Sequence, residues 1–321
     1  MRIGIAGCGR IAERGHLPAA LGLEGVEIAA LADPDESRRK HCRSLCERES
    51  SGEVPAFASA TELLRSEPID LLVVAAPVAH HLATAEEAAS AGVRALIEKP
   101  PAPDLEAARR LAALDPQPLL AFNRRFLQGE ELRSAIPAEG WVELDLELHF
   151  RRDGWGAHEA RDEALLDAGI HLIDLACFLT GSAPIAVRQA KIEHERAELE
   201  LELARGRARI TCATDRSHRE TVLIRDRSGK TLARSSWGGF RSRFSGLLGR
   251  PDPLVVSLQR QLEAAGVSLG EPPHLLLQKG HPHHLATAAD GIAAMAVIEA
   301  AHRSAQLKGA EVTVAPVETR A

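Results

Sequence analysis

Asp167, His171 and Asp174 stand at i, i+4 and i+7, a spacing that puts two carboxylates and an imidazole on one face of a helix. Imidazole titrates near neutrality, so His171 is a candidate proton donor and acceptor. Leu165, Leu166, Ile170, Leu172, Leu175 and Phe178 predict that this helix is largely buried. Buried acids and imidazoles are costly unless paired or used, which leaves a satisfied polar network or a reaction site as the two readings. A second reactive candidate is Lys99, in Glu98-Lys99-Pro100-Pro101 directly after the apolar run VRALI. A lysine packs poorly at the mouth of a buried strand. A residue before proline is also driven toward extended conformations, so that strand cannot run straight into a helix.

A third group could hold a phosphate. GCGRIA supplies Gly7, Gly9 and Ala12, with Arg10 and Ile11 between them, immediately after the strand RIGIA and at the start of a helical pattern. Gly7 permits a tight turn, Gly9 lets backbone approach a pyrophosphate, and Ala12 keeps helix and strand close. Asp33 ends the second strand at the distance from this turn where a carboxylate meets ribose hydroxyls. It would repel a 2′-phosphate, which favours NAD over NADP; Arg38 and Arg39, one turn later, soften that preference. An α/β domain with a glycine turn and no dinucleotide is the competing reading.

The elements that position these residues fall into two halves. Apolar strands RIGIAG, VEIAALAD, IDLLVVAAP, VRALIEK and QPLLAFN alternate with helical patterns, the signature of a parallel sheet covered on both faces. From about Trp141 the period changes to two, in WVELDLELHF, AELELELARG, RARITCATD and ETVLIRDRSG. The fold class is therefore α/β: an N-terminal doubly wound parallel-sheet (Rossmann) domain, plus a C-terminal α+β domain with a large, mostly antiparallel sheet. The boundaries are set at 1–122 and 123–321. The acidic stripe Glu143, Asp145 and Glu147 is read as a solvated face paired across strands with Arg207 or Arg209. A last long helix is predicted from His284 to Leu307.

At 321 residues two domains are the default, and the net charge of −6 (39 basic, 45 acidic) argues against a nucleic-acid partner. No apolar run is long enough to span a bilayer and MRIGIAGCG lacks a secretory signal pattern, so a cytoplasmic protein is predicted. Five scattered cysteines do not form a disulfide framework, and Cys42 and Cys46 read as ordinary helix positions four apart. His274, His281, His283 and His284 lack ligands at metal-site spacing, so no metal is predicted. The apolar, glycine-rich stretch 237–253 reads as a lid, a subunit contact or a mobile loop.

Taken together, GIAGCGRIA, ALADPD, VVAAPVAHH, ALIEKPPAPDLEAARRL, AFNRRF, LLDAGIHLIDL and ADGIAAMAVIEAAHRSA resemble, in order, the Gfo/Idh/MocA oxidoreductases. The resemblance implies an NAD(P)-dependent dehydrogenase or reductase acting on a secondary alcohol of a sugar, cyclitol or nucleotide-sugar, assembled as a homo-oligomer (dimer or tetramer). It implies that Lys99 stabilises charge on the reacting oxygen, that His171 is the general acid/base, and that Asp167 orients substrate or the Lys99–His171 pair. Asp174 is assigned a structural part. Ala76, Pro77, His81, Glu98 and Pro100 join Gly7, Gly9, Arg10, Ile11, Ala12, Asp33 and Lys99 as cofactor-binding positions, with a cis Lys99–Pro100 bond expected. Asn123, Arg124 and Arg125 are candidate substrate contacts, or a solvated linker. Two departures stand out: Val78 where the family often has asparagine, and Asp162-Glu163 where it usually has a glycine pair. The rival functions are a redox-neutral NAD-using epimerase or glycosidase, and a non-catalytic NAD-binding sensor.

Overall fold

In the computed structural model, which describes residues 1–49, 53–152, 162–238, 252–268 and 285–317, the apolar runs of the first 120 residues become a parallel sheet. Its strands are β1 (Arg2–Ala6), β2 (Glu27–Ala32), β3 (Ala56–Phe57), β4 (Leu71–Val74), β5 (Arg94–Ile97) and β6 (Leu119–Leu120). They lie in the order β6-β5-β4-β1-β2-β3, and Ala286–Thr287 adds an antiparallel edge strand beside β6. Every residue of β4 is buried, which is why its sequence is apolar throughout rather than alternating. The strand order turns back between β1 and β4, the kind of crevice where open α/β sheets take their ligands.

The chain divides into two units: Met1–Phe126 with Asp252–Gly291, and Leu127–Pro251 with Ile292–Ala321. It therefore crosses between them more than once, where the sequence suggested a single boundary at 122/123. The returning segment contains a 16-residue helix, Pro253–Ser268, that the sequence reading did not identify. Asp252 caps it by accepting the Leu254 N–H (2.9 Å), and Pro253 stands at its first position. Leu258, Leu262 and Ala265 pack into the same core as Leu17, Ala19 and Ala20 of the first helix. A Cβ on Gly15 would lie 2.7 Å from Leu258 Cδ1, so the two helices meet where a side chain is missing. Each leucine buried this way contributes roughly 1.5–3 kcal/mol.

Cys42 and Cys46 are the buried positions of the otherwise charged helix Glu36–Glu49, and they pack in that core as thiols rather than in a disulfide. The helix predicted from His284 instead begins at Ala288, because Thr287 and Asp290 form a reciprocal cap. The Thr287 N–H donates to Asp290 Oδ2 (2.7 Å) and the Asp290 N–H to Thr287 Oγ1 (3.4 Å). The residues before it make the edge strand. His274, His281, His283, His284 and most of the 237–253 stretch lie outside the described residues. Among the described residues no helix is long and apolar enough to cross a membrane, and no group of three His, Cys, Asp or Glu is placed to hold a metal.

The second unit is built on β7 (Val142–Arg151), β8 (Pro184–Glu193), β9 (Arg196–Leu203), β10 (Gly206–Ala213), β11 (Asp215–Asp226) and β12 (Thr231–Gly238). They lie in the order β12-β11-β7-β10-β9-β8, with Val312–Thr313 at the β8 edge. Only β7 and β10 among these neighbours run parallel; the rest are antiparallel. The acidic stripe is paired across strands: Arg207 to Glu143 (2.7 Å), Arg225 to Asp145 (2.5 Å) and Arg219 to Glu147 (3.1 Å). Arg209 lies 3.6 Å from Glu200 and 4.0 Å from Asp145. Such exposed pairs contribute about 0–1 kcal/mol each, so the apolar face holds the sheet.

The helix Ile170–Thr180 packs on that face, buried except at Cys177, and ends at Gly181 in the left-handed conformation (φ +58°). A Cβ on Gly169 would meet Leu165 Cδ1 at 2.7 Å and Cys212 Sγ at 3.2 Å, which fixes how closely this segment approaches β10. Glu163, at its N-terminal side, accepts a hydrogen bond from His302 Nε2 (2.6 Å) on the long helix Ala288–Gln306. That bond raises the His302 pKa above its ordinary value, against burial, which lowers it.

A raised folded pKa means that the pair stabilises the fold fully below the ordinary histidine value of about 6.5, and that this contribution fades as pH rises through the folded value. Glu163→Gln should therefore lower Tm more at pH 5.5 than at pH 8.5, as read by thermal denaturation of both proteins. An equal loss at both pH values would show that the pair does not titrate as described.

Candidate active site

Strand register decides what stands at the carboxyl edge of the parallel sheet. Ala6 pairs with Ala32 on one side and Val74 on the other, and Val74 pairs with Ile97. Gly7, Asp33, Ala75 and Glu98 are thus the next residues along four adjacent strands. At about 4.8 Å per strand they span roughly 14 Å.

The glycine turn is held in this row by backbone and by Asp33. The Gly7 N–H donates to Ala32 O (2.7 Å), and Gly7 has φ +101°. A Cβ there would fall 2.5 Å from the Ala75 backbone, so both conformation and space require glycine. A Cβ on Gly9 would instead meet nothing within 4 Å, so it would fill the open front of the turn. Arg10 and Ile11 are half-buried and Ala12 is buried. Asp33 Oδ2 accepts the Cys8 N–H (2.8 Å) and Oδ1 accepts the Asp35 N–H (2.9 Å). A carboxylate has about four acceptor positions, so Asp33 braces the turn and keeps capacity for hydroxyl groups. Arg39 Nη1 donates to the Asp33 carbonyl (2.5 Å), and Arg38 Nε lies 3.7 Å from Asp35 Oδ2. An open glycine front with an acceptor at the next strand end fits a dinucleotide.

Two strands away, Glu98-Lys99-Pro100 is fixed on both sides by buried histidines. Glu98 Oε1 lies 2.8 Å from His16 Nε2, and Glu98 Oε2 accepts the Lys99 N–H (3.1 Å). Burial works to push the Glu98 carboxyl up, but the hydrogen bond and charge of His16, with the nearby Lys99 charge, hold it below the ordinary value. On the other side His81 Nδ1 lies 2.9 Å from Pro100 O and His81 Nε2 lies 2.8 Å from Ala76 O. Burial pushes the His81 ring down, with the two carbonyls pulling the other way. A neutral ring has one N–H and donates to only one of them. The Lys99–Pro100 bond is cis. Pro77 leads into the short turn Val78–His80, which brings His81 to the start of its helix.

Asp167, His171 and Asp174 belong to the second unit. The segment departs from regular helix at Asp167: Leu165–Gly169 is a widened π-type turn, closed by the Ile170 N–H to Leu165 O, five residues back. His171 and Asp174 follow in the regular helix, at 6 % and 2 % exposure. Asp167 Oδ2 is ion-paired with Arg152 Nη2 (2.9 Å), and Arg152 Nη1 donates to the Asp162 carbonyl (2.5 Å). Of the Asp162-Glu163 pair that departs from the family pattern, one residue thus engages Arg152 and the other His302.

Asn123 and Arg125 are buried, which excludes a solvated linker. Arg125 Nη2 is ion-paired with Asp290 Oδ1 (3.0 Å), while Arg124 Nη1 donates to Asn123 Oδ1 (2.9 Å). Burial works against the Asp290 charge, and Arg125 with Thr287 overcomes it to hold the carboxyl below its usual range.

Sequence reasoning missed His16 and Arg152. Each is a single polar residue at the end of an element, and each gains meaning only from a partner 82 or 15 positions away.

Residues 1–117 match a family model described as an oxidoreductase family with an NAD-binding Rossmann fold. The putative oxidoreductase YceM of Salmonella typhimurium is 30 % identical over 277 residues, 83 % of this chain and 85 % of that protein. D-apiose dehydrogenase of Paraburkholderia graminis is 31 % identical over 189 residues, 55 % of this chain and 49 % of that protein. Among solved structures, scyllo-inositol dehydrogenase from Lactobacillus casei with bound cofactor NAD(H) and scyllo-inositol has a TM-score of 0.75. It covers 98 % of this chain and 99 % of that one at 17 % identity, a likeness of fold.

The two glycines of the turn should separate folding from binding. Gly7→Ala should destabilise the protein by about 3 kcal/mol or more, from backbone strain and collision. Gly9→Ala should melt within about 0.5 kcal/mol of wild type yet lose at least ten-fold in dinucleotide affinity by calorimetry. Unchanged affinity in Gly9→Ala would remove the turn from the binding site.

Proposed function

Because the chain belongs to the Gfo/Idh/MocA family of oxidoreductases, with an NAD-binding Rossmann fold, we propose that it is an NAD-dependent dehydrogenase acting on a secondary alcohol of a sugar or cyclitol. The observation that carries this reading is the register row, which sets Gly7, Asp33 and Glu98-Lys99 along one edge of adjacent strands. The names of the relatives point the same way: D-apiose dehydrogenase among curated proteins, and an inositol dehydrogenase with bound NAD(H) among structures.

Gly7, Gly9 and the residues after them would hold the pyrophosphate, and Asp33 the ribose hydroxyls. NAD is preferred over NADP in this reading because a 2′-phosphate would face the Asp33 carboxylate, while Arg39 already donates to the Asp33 carbonyl. When bound, the nicotinamide supplies the hydride exchange with the carbon that carries the hydroxyl. The Lys99 ammonium offsets negative charge on that carbon's oxygen, where a fixed cation in a dry site acts most strongly. His171 takes the hydroxyl proton in oxidation and returns it in reduction. Asp167, its charge answered by Arg152, orients the substrate. His81 and Glu98 keep the backbone on either side of Lys99 from moving.

The test is growth of reduced-nicotinamide absorbance with NAD or NADP against a panel of polyols, sugars and nucleotide sugars. One substrate class should respond, with NAD used at least ten-fold more efficiently than NADP. Lys99→Ala and His171→Ala should each lower kcat/KM by roughly 10²–10⁴. A flat trace with NAD still bound would sink the dehydrogenase reading, and a preference for NADP would overturn the assignment of Asp33.

A further inference from the structure

Arg152 is the first residue past β7, and the sheet still holds its backbone: the Arg152 N–H donates to the carbonyl of Thr214 (3.3 Å), the first residue past β10. Its side chain is 10 % exposed. A guanidinium carries five N–H groups in a rigid planar fork, so a buried one has to be met at more than one point. Nη1 donates to the Asp162 carbonyl (2.5 Å). Nη2 lies 2.9 Å from Asp167 Oδ2, a contact of charges rather than an aligned hydrogen bond. One planar group thus joins two points five residues apart on the segment that leads into the helix Ile170–Thr180.

That segment is anchored from three further places in the same unit. Glu163 Oε1 accepts from His302 Nε2 on the long helix (2.6 Å). The Ala164 N–H donates to the His194 carbonyl between β8 and β9 (2.8 Å), and Cys212 Sγ of β10 donates to the Ala164 carbonyl (3.4 Å). The Asp167 N–H then donates back to the Glu163 carbonyl (3.0 Å). These bonds fix the path of the chain up to Asp167. Arg152 acts on the Asp167 carboxylate itself.

We propose that Arg152 is a positioning residue for the reaction: by bridging the Asp162 carbonyl and the Asp167 carboxylate, it fixes the direction in which Asp167 meets the substrate. This rests on the reading of Asp167 as the residue that orients an alcohol. The Asp167 side chain turns about two torsions, each with more than one low-energy setting. A displacement of about 1 Å at a group that positions substrate can cost roughly 10²-fold in rate. Arg152 is fixed at its own backbone by the sheet and at Nη1 by Asp162, so the guanidinium offers Asp167 a partner that does not move. Arg152 touches neither substrate nor cofactor in this account and acts through Asp167.

The first measurement needs no substrate. In ¹⁵N spectra of the arginine side chains, with Arg152→Lys identifying the signal, Arg152 should show separate Nη1 and Nη2 resonances, the mark of a guanidinium that does not rotate freely. The two should merge in Asp167→Ala. A single averaged resonance in wild type, or no change in Asp167→Ala, overturns the proposal. The second measurement is a double-mutant cycle on kcat/KM. Arg152→Met should lower kcat/KM by roughly 10²-fold and leave dinucleotide affinity by calorimetry at the wild-type value. Combined with Asp167→Asn, it should cost no more than Asp167→Asn does by itself, because the two residues act as one unit. Losses that multiply would show that Arg152 serves packing and not Asp167, and would overturn the proposal. If Arg152→Met does not fold, Arg152→Lys closes the cycle, since one ammonium cannot span both acceptors as the planar fork does. Arg207→Gln, which breaks an exposed pair with Glu143, is the control and should leave kcat/KM unchanged. Failure of the functional reading looks different: wild type would oxidise no alcohol in the panel, while the Arg152 resonances still merged in Asp167→Ala.

Discussion

A carboxylate taken out of water has to be met by donors at its lone pairs, and Glu98 imposes that demand in the middle of the first unit. Leaving such a charge unpaired costs several kcal/mol, enough to matter against the total stability of a domain. Two donors answer it, one from the helix after β1 and one from the residue that follows it in the chain. His16 reaches the carboxylate from a widened turn, and Glu98 arrives at the same level because Ala6, Val74 and Ile97 are in register. His81 then fixes the far side of the tripeptide. Segments 82 positions apart are thereby tied to one side chain, and Lys99 stands between its two anchored neighbours.

The parallel sheet could be read from the sequence because strands buried on both faces must be apolar along their length, as LLVV is throughout and RALI is after its first residue. The second sheet was equally open, since one wet face forces period two in VELDLELHFR. Gly7, Asp33 and Lys99 were visible as residue types that packing alone does not explain. What stayed hidden depended on contacts across long sequence separations. The helix Pro253–Ser268 has apolar residues at Leu254, Leu258 and Leu262 with an Asp-Pro start, yet it follows a glycine-rich stretch that draws attention to loops. His16 is one histidine among polar neighbours until Glu98 is placed beside it. Glu163, visible in the sequence as a departure from the family's glycine pair, is engaged by His302.

Three widened turns occur among the described residues: Ala12–His16, Arg125–Gly129 and Leu165–Gly169. Inserting one residue into a helical turn rotates every side chain that precedes it relative to those that follow, and leaves a carbonyl free to tilt outward. Each lies in a segment that carries a site candidate: His16 after the glycine turn, Arg125 where the first unit ends, and Asp167 ahead of His171. A sequence-based helix of constant pitch places Asp167, His171 and Asp174 in one row. The widened turn Leu165–Gly169 holds Asp167, which meets Arg152.

The return of Pro253–Ser268 to the first unit has a consequence for how the protein is made. Leu258 and Leu262 complete the core around Leu17, Ala19 and Ala20, and Gln261 donates to the Leu120 carbonyl (3.0 Å). A nascent chain that has emerged only through Phe126 carries most of the nucleotide fold but leaves that apolar patch bare. It stays bare while the whole middle of the protein is synthesised. The unit that is translated first therefore waits for a segment made after most of the second unit, and its exposed core is the surface a chaperone would meet during the interval.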